Sequence, residues 1–442
     1  MPTLRRGTRI ALTDGSTVTV GRFLGAGGQG EVYAATDNDG NDKALKWFTN
    51  PSLLADSRFA ASMATRCQAT PPGTSFLWPQ ALTVPYGSAF GYIMPLKPAN
   101  YIELGDFFCI DRNPEAYFRS CTARLNAAIA IADSFSRLHL AGCCYQDIND
   151  GNFFADPFTG DILICDNENI VVNGHGHNIA GKPRYMAPEV AAGARPSTAS
   201  DRLSLAVVLY RIFMTDHPFE GIATASGRYR CLSPEDEAIA FGSNAVFCHD
   251  ADNASNRPHP ELHPNSLRFW PAIPQTLKKA FQASLSSKSL ANPAARPASS
   301  RWKTLLCNLR SCLLTCHADR SEPVHDFFAD TTLPPLCPRC GKPMAPFATL
   351  AFDIHHPYRL SAGKSLFLGD SLTAEGRCST MNVRGRGVVL GLENTGTRTW
   401  TVQMPSGKAA TASPGCSVVF ADGCKIDFGT CRASVIFPTP CL

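Results

Sequence analysis

The pattern of apolar and polar positions divides the chain into regions of different period. Residues 17 to about 60 alternate around a glycine cluster, which predicts strands joined by hairpins. From Arg124 to Leu140 the apolar residues recur every three or four positions, as in a helix that buries one face. The same period returns at residues 200–214 and 273–310, so we predict a β-rich start followed by a helical region.

The pattern changes again toward the C-terminus. Proline and cysteine become frequent from Pro323 to Pro346, which indicates a boundary between folded units. After it, residues 350–437 contain short β-type runs separated by glycine and asparagine turns. The longest apolar stretch, Ser204 to Met214, is interrupted by Arg211 and predicts a buried helix rather than a membrane span. We therefore expect an α+β chain with an all-β tail and no membrane partner.

Composition narrows the possible functions. A chain of 442 residues predicts about three folded units. The 41 basic and 37 acidic residues nearly balance. Nucleic-acid binding would call for a basic stripe on one domain, and this charge balance gives no argument for one. The first twenty residues lack the apolar core of a secretory signal, so we expect a cytoplasmic protein. In that reducing compartment the 18 cysteines are expected to be free or metal-bound.

Two segments in the β-rich start carry candidate phosphate chemistry. Gly25-Ala-Gly27-Gly28-Gln-Gly30-Glu-Val32 fits a glycine-rich loop whose backbone amides can approach phosphate oxygens. A further strand then ends at Lys46, where a lysine would hold the α and β phosphates.

The helical region contains a second set of motifs in a fixed order. Tyr145-Gln-Asp147-Ile-Asn-Asp-Gly-Asn152 has the spacing of a loop that pairs a proton-accepting carboxylate with a Mg²⁺-binding amide. Asp166 follows after a hairpin, at the place of a second metal carboxylate. Ala187-Pro188-Glu189, Asp201 and Arg296-Pro297 complete the series.

This ordered series resembles the eukaryotic-like protein kinases, and the resemblance implies a two-lobed fold that uses ATP and Mg²⁺ on a protein substrate. It implies that Asp147 is the catalytic base, that Lys46 binds phosphate, and that Asn152 and Asp166 bind magnesium. It also implies that Glu189 pairs with Arg296 and that Asp201 holds the catalytic loop. The nucleotide contacts implied by the family are Gly25, Gly27, Gly28, Gly30, Val32, Ala44, Met94, Leu96 and Phe154.

The sequence departs from the family at the lysine's usual partner. No glutamate lies between Glu31 and Glu103, and Asp56 is the one carboxylate between Lys46 and Glu103. Asp56 comes only ten residues after Lys46, so pairing with that lysine would need an unusual helix. An active kinase positions phosphate through a lysine–glutamate pair. A nucleotide-binding pseudokinase that acts as a scaffold is therefore the alternative to an active serine/threonine kinase.

The catalytic segments differ as well. Asn149 stands where serine/threonine kinases carry a lysine, and Lys182 either supplies the missing cation or is a solvated surface lysine. The triplet from Asp166 to Glu168 replaces Asp-Phe-Gly. Residues 167–184 contain no serine, threonine or tyrosine, so we expect no regulation by phosphorylation there. Small-molecule phosphotransferases also lack the lysine, but Ala187-Pro188-Glu189 favours protein kinases.

The proline- and cysteine-rich segment predicts a zinc site. Cys337-Pro-Arg-Cys340 is a tight turn with two thiolates, and Cys316 and His325 are the preferred further ligands, with Cys312 or His317 as alternatives. Ordinary cysteines remain the competing interpretation.

The order of domains resembles a bacterial kinase group found with a metal-dependent phosphatase and a von Willebrand A-type protein. Phe76-Leu-Trp-Pro79 and Asn256-Arg-Pro258 are further landmarks of that group. The resemblance implies a kinase-like domain at 1–312, with its N-lobe at about 1–95 and its C-lobe at about 96–312, and a zinc ribbon at 313–346. Residues 347–442 resemble a forkhead-associated β-sandwich, but no Ser-x-x-His occurs after Phe347, so we expect docking rather than phosphopeptide binding.

Overall fold

The structure is a computed structural model that describes most of the chain. It describes residues 3–87, 89–109, 113–175, 181–225, 233, 236–237, 239–315, 326–328, 341–342, 346–385 and 387–437.

Strands and helices follow one another as the sequence pattern predicts. The strands are β1 (Arg9–Ala11), β2 (Thr17–Ala26), β3 (Gly30–Asp37), β4 (Asp42–Phe48), β5 (Ala81–Leu82), β6 (Gly91–Pro95), β7 (Ile102–Glu103), β8 (Cys143–Cys144), β9 (Phe153–Ala155), β10 (Ile162–Ile164), β11 (Val171–Val172), β12 (Leu313–Thr315), β13 (Asp326–Phe328), β14 (Phe347–Phe352), β15 (Tyr358–Ser361), β16 (Ser365–Leu366), β17 (Gly376–Val383), β18 (Gly387–Asn394), β19 (Trp400–Gln403), β20 (Ala409–Ala412), β21 (Ser417–Val419), β22 (Lys425–Asp427) and β23 (Arg432–Ile436). The α-helices are α1 (Pro51–Ala55), α2 (Ser57–Gln68), α3 (Cys121–Leu140), α4 (Pro188–Ala191), α5 (Thr198–Met214), α6 (Ile222–Ala225), α7 (Pro264–Phe269), α8 (Gln275–Leu285), α9 (Ser287–Ala291) and α10 (Ser299–Ser311). Shorter helical turns are 3₁₀ at Leu104–Phe108, Asp150–Asn152, Asn167–Asn169, Pro183–Tyr185, Trp270–Ala272 and Pro293–Ala295, and π at Ile239–Ser243.

The N-terminal sheet is antiparallel and has the strand order β1-β2-β3-β4-β6-β5. Alternation along its strands buries one face around Val20, Tyr33 and Trp47. The other face packs on α2 through Phe59 and Met63. This sheet therefore carries the glycine-rich loop between β2 and β3 and the lysine on β4.

The helical region between Leu96 and Cys312 is built around α3 and α5, which share one apolar core. Ser120 caps α3 by accepting from Ala123 N at 3.0 Å, and Ser197 and Ser200 form a capping box on α5. The predicted helices at 124–140 and 200–214 are confirmed. The stretch at 273–310 contains three helices. Ser286, in an extended conformation, separates α8 from α9, and Pro293 and Pro297 lie between α9 and α10.

The tail contains two antiparallel sheets, with strand orders β15-β14-β23-β22-β19-β20 and β16-β17-β18-β21 among the described residues. Their buried side chains form one apolar cluster that includes the fully buried Trp400. The tail contacts the helical region at α10: Lys303 Nζ lies 3.1 Å from Asp370, and the Arg310 guanidinium lies 3.7 Å from the centre of the Phe367 ring.

Two further findings concern the described part of the chain. Its cysteines are all free thiols. Of its helices, none combines the length and the apolar character that crossing a membrane would require.

Candidate active site

The glycine-rich loop leaves open space at three of its four glycines. A Cβ atom added to Gly25, Gly27 or Gly28 would meet nothing within 4 Å, so a ligand can approach the backbone there. Gly30 differs, because a Cβ there would lie 2.1 Å from the carbonyl oxygen of Trp47. Glycine is therefore required at position 30 because any side chain would collide with β4, whereas the sequence prediction placed Gly30 over the nucleotide.

The apolar residues among the predicted nucleotide contacts come together in one cluster. Ala44 and Met94 are buried in one apolar cluster, and Val32, Leu96 and Phe154 pack against it. The cluster contains residues from both regions of the chain. Phe154 lies on β9 of the helical region, and the other four lie on or next to the N-terminal sheet. Apolar side chains of this kind suit contact with a flat aromatic base.

Lys46 lies between two carboxylates. Its Nζ is 2.6 Å from Asp166 Oδ1 and 2.6 Å from Glu168 Oε1. Burial by itself would lower the pKa of Lys46, but the negative charges of Asp166 and Glu168 outweigh burial and hold the pKa above its usual value. The ammonium is therefore charged and held in one place.

The lysine's partner is not Asp56. Asp56 is the N-cap of α2, where its carboxylate accepts from Arg58 N at 2.9 Å. Asp56 is the one carboxylate between Lys46 and Glu103, but Lys46 pairs with Asp166 and Glu168 instead. Glu168, two residues beyond the predicted metal ligand, supplies the carboxylate instead.

The catalytic loop presents Asp147 with a defined set of contacts. Its Oδ1 accepts from the backbone amide of Lys182 at 3.0 Å, and Asn152 Nδ2 donates to its carbonyl oxygen at 2.8 Å. Burial raises the pKa of Asp147 above the usual range of an aspartate, although hydrogen bonds from Lys182 and Asn149 oppose the shift. The Asn152 amide nitrogen is thus directed at Asp147.

Asn149 and Lys182 are both close to Asp147. Asn149 is buried and stabilises the loop, since its Oδ1 accepts from Gly151 N at 2.9 Å. The Lys182 ammonium lies 3.3 Å from Asp150 Oδ1, and the Asp150 carboxylate also accepts from Arg211 at 2.7 Å. The structure thus brings Lys182 to the catalytic loop, with 53% of its side chain exposed.

Two contacts hold the catalytic segments on the helical region. Asp201 Oδ2 accepts from the backbone amide of Tyr145 at 2.7 Å, and His139 Nε2 lies 3.0 Å from the same oxygen. The predicted Glu189–Arg296 pair is bidentate, with distances of 2.6 and 2.9 Å. The catalytic loop is therefore anchored to α5, and the segment at Glu189 is anchored to Arg296, which lies between the 3₁₀ turn Pro293–Ala295 and α10.

Sequence reasoning missed Glu168, Arg66 and Tyr92 as members of the site. Arg66 is buried on α2 and donates to the carbonyl oxygens of Asn167, at 2.6 Å, and of Ile170. The Tyr92 hydroxyl donates to Glu168 Oε2 at 2.7 Å. The available signal was a glutamate two residues after Asp166 in a chain whose expected glutamate is absent.

The predicted zinc ligands Cys316, His325, Cys337 and Cys340 lie outside the described residues, as does the alternative His317. Among the described residues there is no group of three or more potential metal ligands.

Comparisons with known proteins bear on the fold. The family model of the protein kinase domain matches residues 99–257. Protein kinase YegI of Escherichia coli O157:H7 is 26% identical over 341 residues, which is 74% of this chain and 49% of YegI. The DNA damage-responsive serine/threonine-protein kinase RqkA of Deinococcus radiodurans is 30% identical over 235 residues, covering 50% of this chain and 34% of RqkA. Serine/threonine-protein kinase PknA of Mycobacterium tuberculosis is 27% identical over 228 residues, covering 48% of this chain and 50% of PknA.

This chain therefore spans about half the length of YegI and a smaller share of RqkA. The family match begins after the N-terminal sheet and contains Asp147, Asn152 and Asp166. Together with the sheet that places Lys46 across the cleft from these residues, the match identifies a protein kinase fold in this chain.

Proposed function

We propose that this protein is a serine/threonine kinase that transfers the γ-phosphate of ATP to a protein substrate in the presence of Mg²⁺. The observation that carries the proposal is the convergence of Lys46, Asp147, Asn152 and Asp166 beside an apolar cluster and an open glycine-rich loop. Similarity to bacterial proteins named as serine/threonine kinases supports it.

The residues present fit magnesium and a nucleotide. Asp166 and Asn152 offer carboxylate and amide oxygens, the ligand types that Mg²⁺ prefers, and the Asp166 side chain is 30% exposed. Bound Mg²⁺ would neutralise charge on the phosphates of ATP.

The chain's own residues would perform the remaining tasks. Lys46 would bind phosphate oxygens with its buried ammonium. Asp147 would orient the acceptor hydroxyl and take its proton, and the backbone amide of Lys182 fixes the carboxylate for that purpose. Lys182 would add positive charge near the transferred group. Asp201 keeps the loop backbone in place.

A pseudokinase scaffold is the second candidate, and it was motivated by the absence of a glutamate on the helix after Lys46. The ion pair between Lys46 and Glu168 removes that reason, because the lysine does have a buried carboxylate partner. The experiment below separates a pseudokinase from an active kinase.

The test is phosphate incorporation from labelled ATP into the protein itself and into a panel of protein acceptors. Wild type is compared with Asp147→Ala and Lys46→Ala, with nucleotide binding measured in parallel. We expect incorporation by wild type alone. Equal background incorporation by wild type and Asp147→Ala, with nucleotide still bound, would establish the scaffold instead.

The assignments for the rest of the chain are part of the proposal. The kinase-like domain would occupy 1–312, with lobes at about 1–95 and 96–312, and a zinc ribbon would occupy 313–346. Residues 347–442 would form a forkhead-associated-like β-sandwich that docks on the kinase, which the contacts between α10 and the tail support. A cognate phosphatase and a von Willebrand A-type partner remain predictions from the resemblance, and a cytoplasmic location remains a prediction from the sequence.

A further inference from the structure

We propose that Glu168 is the positioning residue of Lys46 and replaces the helix-borne glutamate that this chain lacks. The inference rests on the proposed function, because it assigns Lys46 to phosphate. It moves the carboxylate partner from α2 to the 3₁₀ turn Asn167–Asn169, which begins directly after the predicted metal ligand Asp166.

The two carboxylates beside Lys46 differ in their surroundings. The Glu168 side chain has no exposed surface, whereas 30% of the Asp166 side chain is exposed. The second oxygen of Glu168 accepts from the Tyr92 hydroxyl at 2.7 Å, so both of its oxygens have partners inside the protein. A buried charge persists only when it is paired and hydrogen-bonded. Glu168 is therefore the enclosed partner of the lysine, and Asp166 is the one that can reach a cation in the cleft.

The turn that carries Glu168 is held from two sides. From α2, Arg66 donates to the carbonyl oxygens of Asn167 and Ile170, which bracket Glu168. From the loop before β5, the carbonyl oxygen of Leu77 accepts from Asn167 Nδ2 at 2.7 Å. A side chain whose backbone is fixed in this way can hold a partner within the tolerance that catalysis needs.

This arrangement changes what α2 does. In the family pattern the helix holds the lysine directly through a carboxylate. Here α2 contributes a buried cation, Arg66, which acts on the backbone around Glu168 rather than on Lys46. The lysine and the predicted metal ligand are thereby organised by one short segment, residues 166–170.

The test uses Glu168→Gln, which keeps the size of the side chain and an acceptor for the Tyr92 hydroxyl but removes the charge. Glu115→Gln is the matched control, because the Glu115 side chain is 74% exposed and lies outside the site. For each full-length variant we would measure kcat and KM for MgATP, affinity for a fluorescent ATP analogue, and the melting temperature.

We expect kcat of Glu168→Gln to fall on the order of 100-fold, the scale of a misplaced catalytic group, with affinity for the analogue within about threefold. Glu115→Gln should match wild type. Wild-type kcat in Glu168→Gln, or a loss confined to nucleotide affinity, would overturn the inference while the proposed function stands. If wild type transfers no more phosphate than Asp147→Ala, the proposed function fails and the inference fails with it.

Glu168→Asp keeps the charge on a shorter side chain. It tests the positioning role of Glu168 even if Glu168→Gln does not fold. We expect its kcat to lie about tenfold below wild type, at unchanged nucleotide affinity. A folded Glu168→Asp with wild-type kcat would overturn the positioning role. Equal kcat in folded Asp and Gln variants would show that the charge is not what matters, which also overturns it.

Discussion

The buried pair between Glu189 and Arg296 gives a stability prediction that does not depend on catalysis. The Arg296 side chain has no exposed surface and 24% of the Glu189 side chain is exposed. Glu189→Ala would leave the guanidinium buried with carbonyl partners only, such as the Ala199 oxygen at 3.0 Å. Removing one partner of a buried pair costs roughly 3–5 kcal/mol, and the partial exposure of Glu189 points to the lower end, about 3 kcal/mol.

For the proposed kinase-like domain at 1–312, whose entropy of unfolding is roughly 2.1 cal/mol/K per residue, such a loss lowers the melting temperature by about 5 °C. The assay is thermal and urea unfolding of full-length variants. Glu115→Ala is the control, because Glu115 is an exposed glutamate in an ion pair. This control should change the free energy of unfolding by less than about 0.5 kcal/mol. The double variant Glu189→Ala with Arg296→Met should recover part of the loss, because it removes the unpaired charge. A Glu189→Ala variant within about 0.5 kcal/mol of wild type would refute the reasoning.

Three further predictions concern other parts of the chain. Lys182→Ala should lower kcat by about tenfold, less than the roughly 10²–10³ of an enclosed donor because 53% of the Lys182 side chain is exposed, and an unchanged kcat would make it a surface lysine. Burial, aided by nearby positive charges, lowers the pKa of His249 to about 4, so the unfolded state takes up the proton first as the pH falls below 6.5. Wild type should therefore lose about 1–2 kcal/mol more stability than His249→Phe between pH 7 and pH 5, and parallel pH profiles of unfolding would contradict this. Cys337→Ser should lower the zinc content measured by elemental analysis, whereas Cys416→Ser, at an exposed free thiol, should not; equal zinc in both would exclude the site.

The fold could be predicted from the sequence where the period of apolar residues is long and regular. The helices α3 and α5 meet that condition, because each buries one or more complete faces over at least four turns. The breaks between α8, α9 and α10 depend on single positions, Ser286 for the first and Pro293 and Pro297 for the second. The apolar period over a long window does not resolve such positions.

The candidate site could be predicted only where a motif has a fixed spacing. Asp147, Asn152 and Asp166 follow such a motif, and the structure brings them to one cleft with Lys46. The partner of that lysine could not be predicted, since it depends on a contact across 122 positions of sequence between β4 and the turn at Glu168. A carboxylate displaced from its usual element leaves no local pattern, and its role becomes visible only when the tertiary contacts are known.

The most direct test of the central claim is mass-spectrometric identification of phosphorylated residues after incubation with MgATP. Wild-type protein and its acceptor panel are first treated with phosphatase, which is then removed, and Asp147→Asn is treated in the same way. We predict new phosphoserine or phosphothreonine with wild type and none with Asp147→Asn. The absence of new phosphate with either protein, or the same sites with both, would contradict the assignment of this chain as a serine/threonine kinase.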